Sequence, residues 1–253
     1  MGIVLWLNNI AVIFPSKAMA YLYPGCIDHP SHPGIFQGFS ELMPWSTTVS
    51  AWVWNILISA AFYGHHSLCA RGWVKKLFGE ADAGQISVYR TIYVVYAAMM
   101  THLRTATWEP LLTSFEPLWD LTNNNVTLAL SMLGVVFGTL WLVSATFAID
   151  HFDLFGVKQG TGYDVYKWFG CEISETFSKR LHLQYVRHPI YTGFFLVFFV
   201  TPLMTLNHLV FAVTGGAYIV AAVAYLEEPD LRAAHPEYAE YAKNTPAFCP
   251  MFK

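Results

Sequence analysis

This 253-residue chain has little charge: Lys and Arg number 14, Asp and Glu 17, and together they make up 12% of the residues. With a formal net charge of −3 there is no basic field to attract a polyanion, so nucleic acid is not an expected partner. Cysteine is sparser still. Cys26, Cys69, Cys171 and Cys249 lie far apart and form no CxxC pair. Isolated thiols in apolar contexts are ordinarily inert packing residues, so neither a zinc site nor a redox couple is expected. Also missing are a glycine-rich phosphate loop, an internal repeat of fixed period and a low-complexity tract. Their absence argues against the soluble Rossmann-type methyltransferases and dehydrogenases. The start of the chain lacks a basic n-region and a small-residue cleavage site, so no cleavable signal peptide is expected.

What fills the chain instead is apolar: 55% of the residues are hydrophobic and 17% aromatic, a composition typical of membrane proteins. A helix needs roughly 20 residues to cross a hydrocarbon core. Five stretches reach or approach that length: Ile3–Tyr23, Thr47–Leu68, Ile86–Thr107, Val126–Ile149 and His208–Leu226. The first is interrupted by Asn8, Asn9, Pro15 and Lys17, so a kinked or half-inserted helix competes with a full crossing there. A shorter run, Ile190–Leu206, holds Pro202 and is expected to form one arm of a tight helical hairpin turning at Thr205–His208. Twelve of the 14 Lys and Arg residues fall in three segments, 71–90, 158–187 and 232–253. The alternate loops carry Asp28, Glu41, Glu109, Glu116 and Asp120 instead. The positive-inside rule then puts the basic segments and both termini in the cytoplasm. An Asn125-Val126-Thr127 sequon lies close to the membrane on the opposite side.

In that topology four helix ends bring His66, Arg71, Asp150, His151, Asp153, Arg187, His188, Glu227 and Glu228 to the cytoplasmic boundary. Ionisable groups near lipid cost several kcal/mol unless paired or wet, so such a cluster points to function. Each piece also has a plainer reading. Arg187 could snorkel to the headgroups, Pro189 could open a helix, His66 and His151 could be satisfied boundary histidines, and Glu227 with Glu228 could form a solvated helix end. The pieces have a joint explanation in a ligand that carries a carboxylate, an amine, a ribose and a cationic centre. Arg187 can hold a carboxylate through two parallel bonds, and the N–H groups of the helix opening at Pro189 favour the same anion. Tyr191 offers a ring or a hydroxyl, Gly193 permits close backbone approach, and Glu227 or Glu228 can accept from ribose hydroxyls. Pro229 is expected to end the helix and push Glu228 toward an extended geometry. S-adenosyl-L-methionine has each of these ligand features.

The run Arg187-His188-Pro189-Ile190-Tyr191-Thr192-Gly193, then Glu227-Glu228-Pro229-Asp230-Leu231, Tyr238, Tyr241, Pro246 and Pro250, resembles the membrane methyltransferases. That superfamily includes isoprenylcysteine carboxyl methyltransferase and the phospholipid methyltransferases. Upstream, "HHSLCAR" (65–71), "WEPL" (108–111), "FAIDHFDLFGVKQ" (147–159) and "FFVTPLMTLNHLVFA" (198–212) are similar to the methanethiol S-methyltransferases of the NnrU-like group. The chain departs from that group at His65, where Gln is usual, and in a longer segment over residues 163–182, which bears on the acceptor.

The resemblance implies an all-α, polytopic transmembrane helical bundle of five to six spans, one integral-membrane domain over residues 1–253. Residues 187–253 would form a hairpin and cap enclosing S-adenosyl-L-methionine, with Arg187, His188, Pro189, Tyr191, Gly193, Glu227, Glu228, Leu231, Tyr238 and Tyr241 as cofactor residues. The implied reaction methylates a small apolar thiol, methanethiol, to dimethyl sulfide. Because the thiolate is the nucleophile, a base or a nearby cation is needed. The candidates are His151, oriented by Asp153 or Asp150, and then His66 with Arg71. Three alternatives stand beside this reading. One is a lipid amine or prenylcysteine carboxylate acceptor, one a haem-binding NnrU-like isomerase using His65, His66, His151 or His188, and one a non-enzymatic scaffold of the nurim type. The oligomeric state is not legible in the sequence.

Overall fold

The computed structural model describes residues 48–78, 88–109, 111, 117–169 and 181–251. The expected first segment, Ile3–Tyr23, lies outside them, as do residues 170–180 of the longer 163–182 segment. In chain order the elements are α1 (Thr48–Cys69), α2 (Gly72–Leu77), α3 (Tyr89–Ala106), β1 (Trp119–Asp120), α4 (Asn125–Ile149), α5 (His151–Leu154), α6 (Val157–Thr161) and α7 (Val165–Trp168). A 3₁₀ turn (Leu181–Gln184), α8 (Pro189–Phe199), β2 (Leu203–Met204), α9 (Leu206–Ala222), a π-helical segment (Val223–Glu227), α10 (Glu228–Ala234) and α11 (Tyr238–Asn244) complete the order.

Among the described residues two helices are long and apolar enough to cross a membrane: α4, with 25 residues, and the continuous helical stretch Leu206–Ala234, with 29. Only 17% and 33% of their most apolar windows are buried inside the protein. A soluble core helix of that composition would be covered, so these surfaces suit lipid. On α4 the exposed side chains include Leu130, Leu133, Phe137, Leu140 and Val143.

The described residues divide into two compact units, one formed by those within 1–66, 98–139 and 195–216, the other by those within 67–97, 140–194 and 217–253. In the first, the "WEPL" turn after α3 is braced by two asparagines. Asn55 donates to the Glu109 carbonyl at 2.7 Å and accepts from the Glu109 N–H at 2.9 Å. Asn207 Oδ1 accepts from the Trp108 indole and from the Leu111 N–H. Both Trp108 and Leu111 are buried, so this motif holds the turn. Gly134 and Gly138 on α4 meet α8 closely: a Cβ on Gly138 would lie 2.8 Å from the Leu196 Cβ. A small residue every fourth position lets two apolar helices approach, and here their contact is dispersion at short range.

In the second unit Gly193 makes the same provision, since a Cβ there would stand 2.7 Å from the Leu142 Cα. The Trp141 indole donates to the Pro189 carbonyl at 2.9 Å across the same pair of helices. Gly156 has φ +71°, and its missing Cβ leaves room for the Thr91 backbone, whose hydroxyl donates to the Gly156 carbonyl at 2.6 Å.

The structure corrects two expectations. The run Ile190–Leu206 does not form one helical arm with a tight turn at Thr205–His208. Here α8 stops at Phe199, 11 residues after it starts, and Leu203–Met204 pairs antiparallel with Trp119–Asp120. Pro202 cannot donate an N–H to a continuing helix, and its carbonyl instead accepts from the Leu121 N–H at 2.8 Å. The second correction concerns Glu228, which is helical (φ −64°, ψ −39°) rather than extended. The π-helical turn ahead of it restarts the ladder, so Pro229 falls in the first turn of α10, where its missing N–H needs no partner.

Candidate active site

Three polar constellations stand out, and the largest surrounds Glu228 in the second unit. Glu228 Oε1 accepts from the Arg187 Nε at 2.8 Å and from its Nη2, lies 3.3 Å from His188 Nε2, and accepts from the Tyr238 hydroxyl at 3.5 Å. Its Oε2 accepts from Arg232 at 3.0 Å. Glu227, one residue earlier, accepts from the Tyr191 hydroxyl at 2.8 Å and faces His188 Nδ1 at 3.5 Å. His188 is thus buried with a carboxylate at each ring nitrogen. The π turn makes this possible, because it rotates two consecutive acids so that both address the start of α8.

The rest of the Arg187 fork points to the backbone: Nη1 donates to the carbonyls of Ala242 and Thr245. Its own N–H donates to Pro246, that of His188 donates to Ala247, and the Thr192 hydroxyl donates to Phe248 at 2.7 Å. Arg187 therefore ties the "RHP" turn to residues 242–248. Beside it is a cavity of about 390 Å³ lined by Arg187, Lys243, Pro246, Phe248 and Cys249 among others. Tyr238 and Tyr241 are buried, and burial pushes both phenols up to about 12. The Tyr241 hydroxyl donates to the carbonyl of Leu183. Pro189 and Gly193 are buried on α8, and Leu231 is half-buried on α10.

The second constellation is at the end of α4. Asp150 caps α5 by accepting from the Asp153 N–H at 3.0 Å and pairs with Lys158 at 2.6 Å. Asp153 accepts from Gln159 at 2.6 Å. Both carboxylates are thereby engaged elsewhere, and the His151 ring is positioned by Thr146, whose Oγ1 lies 2.6 Å from Nδ1. That hydroxyl has one proton and gives it to the Val143 carbonyl at 2.6 Å. It must then accept from Nδ1–H, which leaves Nε2 of a neutral ring with its lone pair. Phe147 stacks on the imidazole at 4.1 Å with an interplanar angle of 4°. Burial pulls the His151 pKa below the ordinary histidine value, against the opposing pull of Asp150.

The other two expected catalytic residues, Arg71 and His66, have partners of their own. Arg71 forms an exposed ion pair with Asp230 at 3.4 Å. His66 falls in the first unit, where its ring packs 5.8 Å from that of Phe62.

The third constellation, which the sequence reading passed over, is Arg104 in the first unit. It is fully buried on α3, with Phe211, Tyr63 and Trp108 rings 4.0, 4.9 and 5.5 Å from its guanidinium carbon. The available signal was Arg104 near the end of an apolar stretch whose other basic residues are Arg90 and His102.

Comparison with known proteins supplies the context for these sites. A methanethiol S-methyltransferase from Crocosphaera subtropica is 36% identical over 211 residues, covering 80% of this chain and 76% of that protein. One from Mycobacterium tuberculosis is 32% identical over 198 residues, 78% of this chain and 77% of that protein. A nurim homolog from Drosophila melanogaster is 27% identical over 195 residues, 76% and 75% of the two chains. No protein-family model and no solved structure matches the chain. Exposed apolar helices and these relatives together define a helical, membrane-associated methyltransferase. Within that class the chain belongs to the methanethiol S-methyltransferase family.

Proposed function

We propose that the protein is an integral-membrane, S-adenosyl-L-methionine-dependent thiol S-methyltransferase that converts methanethiol to dimethyl sulfide. The observation that carries this reading is 36% identity across 76% of a methanethiol S-methyltransferase. The proposal includes a bundle of five to six spans forming one domain, with basic segments and active site at the cytoplasmic boundary and residues 187–253 enclosing the cofactor.

The residues near Arg187 fit such a cofactor in chemical type. The cavity has an aromatic wall at Phe248 and a guanidinium at its edge. The Glu227 side chain is 40% exposed, which leaves its carboxylate open to hydroxyl or ammonium donors beside Tyr191. In this reading Glu227 and Tyr191 hold the ligand, and Phe248 packs against it. Arg187, Glu228, His188, Tyr238 and Tyr241 keep residues 242–248 in place around it. When bound, S-adenosyl-L-methionine supplies a methyl carbon on a positive sulfur, which a thiolate takes while the C–S electron pair stays on the departing neutral thioether. His151 Nε2 accepts the thiol proton. An apolar surround excludes water, and alignment of the reacting atoms is the largest contribution, about 7–11 kcal/mol when complete.

Glu227→Gln keeps the size of the side chain and removes its charge. Calorimetry with S-adenosyl-L-methionine should show affinity about 10- to 100-fold weaker, the value of a charge-assisted hydrogen bond of roughly 1.5–3 kcal/mol. Binding equal to wild type would remove Glu227 from the cofactor site.

A further inference from the structure

Every nitrogen of the Arg187 guanidinium already donates, to Glu228 or to the carbonyls of Ala242 and Thr245, so a cofactor carboxylate needs a cation elsewhere. Arg71, Lys158, Arg232 and Lys243 of the same unit each have a carboxylate within ion-pair distance. Arg90 differs. It stands half-buried in the first turn of α3, and among the described residues no carboxylate lies within ion-pair distance of it. Its Nε is sealed from solvent and donates to nothing. Its two terminal nitrogens bond nothing among the described residues and reach the surface, so a ligand can meet them without an enclosed cavity.

The first turn of a helix is an unfavourable place for a lone cation. Backbone N–H groups there carry the positive end of the helix dipole, and α3 has no acidic residue in that turn. An anion bound at this point offsets the guanidinium and the helix end together. The start of α3 is also held firmly, because the Thr91 hydroxyl bonds the Gly156 carbonyl and a Cβ on Gly156 would lie 3.1 Å from the carbonyl carbon of Arg90. Placement joins Arg90 to the polar groups around Glu227. It lies within electrostatic reach of Tyr93, one turn further along α3. Tyr93 and Tyr218 lie within the same reach of Tyr191, whose hydroxyl donates to Glu227 at 2.8 Å. All five residues belong to the second unit.

We propose that Arg90 binds the carboxylate of the amino-acid end of S-adenosyl-L-methionine, with Glu227 and Tyr191 on the ribose hydroxyls of the same ligand and Tyr93 and Tyr218 between. This rests on the methyltransferase reading and names the anion contact that its cofactor site needs. The two terminal nitrogens of a guanidinium present parallel donors that match the two oxygens of a carboxylate. Tyrosine rings between the carboxylate and the ribose suit the positive sulfur, which attracts aromatic faces. No bond is made or broken at Arg90. Its role is to fix one end of the methyl donor.

The test is calorimetry on the full-length protein in detergent with S-adenosylhomocysteine and its decarboxylated analogue, S-adenosyl-3-thiopropylamine, neither of which has a methyl group to give. Wild type should bind S-adenosylhomocysteine about 10- to 100-fold more tightly than the analogue, the range expected of charge-assisted hydrogen bonds. Arg90→Met should erase that preference by weakening S-adenosylhomocysteine alone. Arg90→Lys should keep part of it, since a point charge replaces the fork incompletely. Unchanged affinity for the analogue reports in the same titrations that a variant is folded, and Arg90→Gln takes the place of the Met variant if that one is not. Wild type indifferent to the carboxylate, or a preference that survives in Arg90→Met or Arg90→Gln, would overturn the proposal. Wild type that binds neither ligand would overturn the methyltransferase reading with it, whereas S-adenosylhomocysteine bound without regard to its carboxylate would defeat this inference alone.

Discussion

Glu228→Gln should be the most disruptive single substitution in the second unit, costing about 3–5 kcal/mol in stability, the usual result of removing one partner from a buried pair. The Arg187 and Glu228 side chains are only 14% and 13% exposed, so little solvent would screen the orphaned guanidinium. The loss would spread, because the same carboxylate organises His188, Tyr238 and Arg232. Thermal unfolding should begin roughly 10 °C lower, at about 2–4 °C per kcal/mol for a chain of this size. Arg232→Ala is the contrasting substitution. That side chain is 48% exposed, and an exposed i,i+4 pair contributes under about 1 kcal/mol. Equal effects from the two substitutions would mean that Glu228 is not the hub its contacts describe.

His151→Ala should leave cofactor affinity and stability nearly unchanged and lower turnover by about 10²–10⁴-fold, the typical cost of a lost proton acceptor. A base works unprotonated, and burial holds this imidazole below the ordinary histidine value. Wild-type turnover should therefore persist down to below the usual histidine range, then fall as the ring takes a proton. Raising the pH should partly rescue His151→Ala, because solvent then supplies thiolate. Thr146→Val tests the tautomer argument. It removes the acceptor for Nδ1–H and should reduce turnover less than loss of the ring, without moving the KM for the cofactor. Near-normal turnover in His151→Ala at neutral pH would exclude the assignment.

Where the sequence was legible, one short signal was enough to decide the outcome. The apolar run expected over Val126–Ile149 became a helix over Asn125–Ile149, and Thr47–Leu68 became Thr48–Cys69, because no Pro, Asp, Glu, Lys or Arg interrupts either stretch. The "RHP" and "EE" motifs lie far apart in the chain, yet the structure brings them together, with His188 between the two acids. The features that escaped depend on partners distant in sequence. The extended pairing at Leu203–Met204 needs Trp119–Asp120, and the helical Glu228 needs a π turn that no residue pattern announces. At His151 the nearby carboxylates drew the reading, but Asp150 caps a helix, Asp153 binds Gln159, and the less conspicuous Thr146 meets the ring. Arg104 escaped because its hydrogen-bond partners are remote in sequence. Its neighbours, Ser59 and Thr214, are hydroxyls on other helices.

The most direct measurement of the central claim gives the purified protein S-adenosyl-L-methionine with methanethiol, a lipid amine and a prenylcysteine in separate vials and assays each for methylated product. Dimethyl sulfide from the methanethiol vial, with no methylated lipid and no methyl ester in the others, is the predicted result. Product confined to the lipid amine or prenylcysteine vials would contradict it.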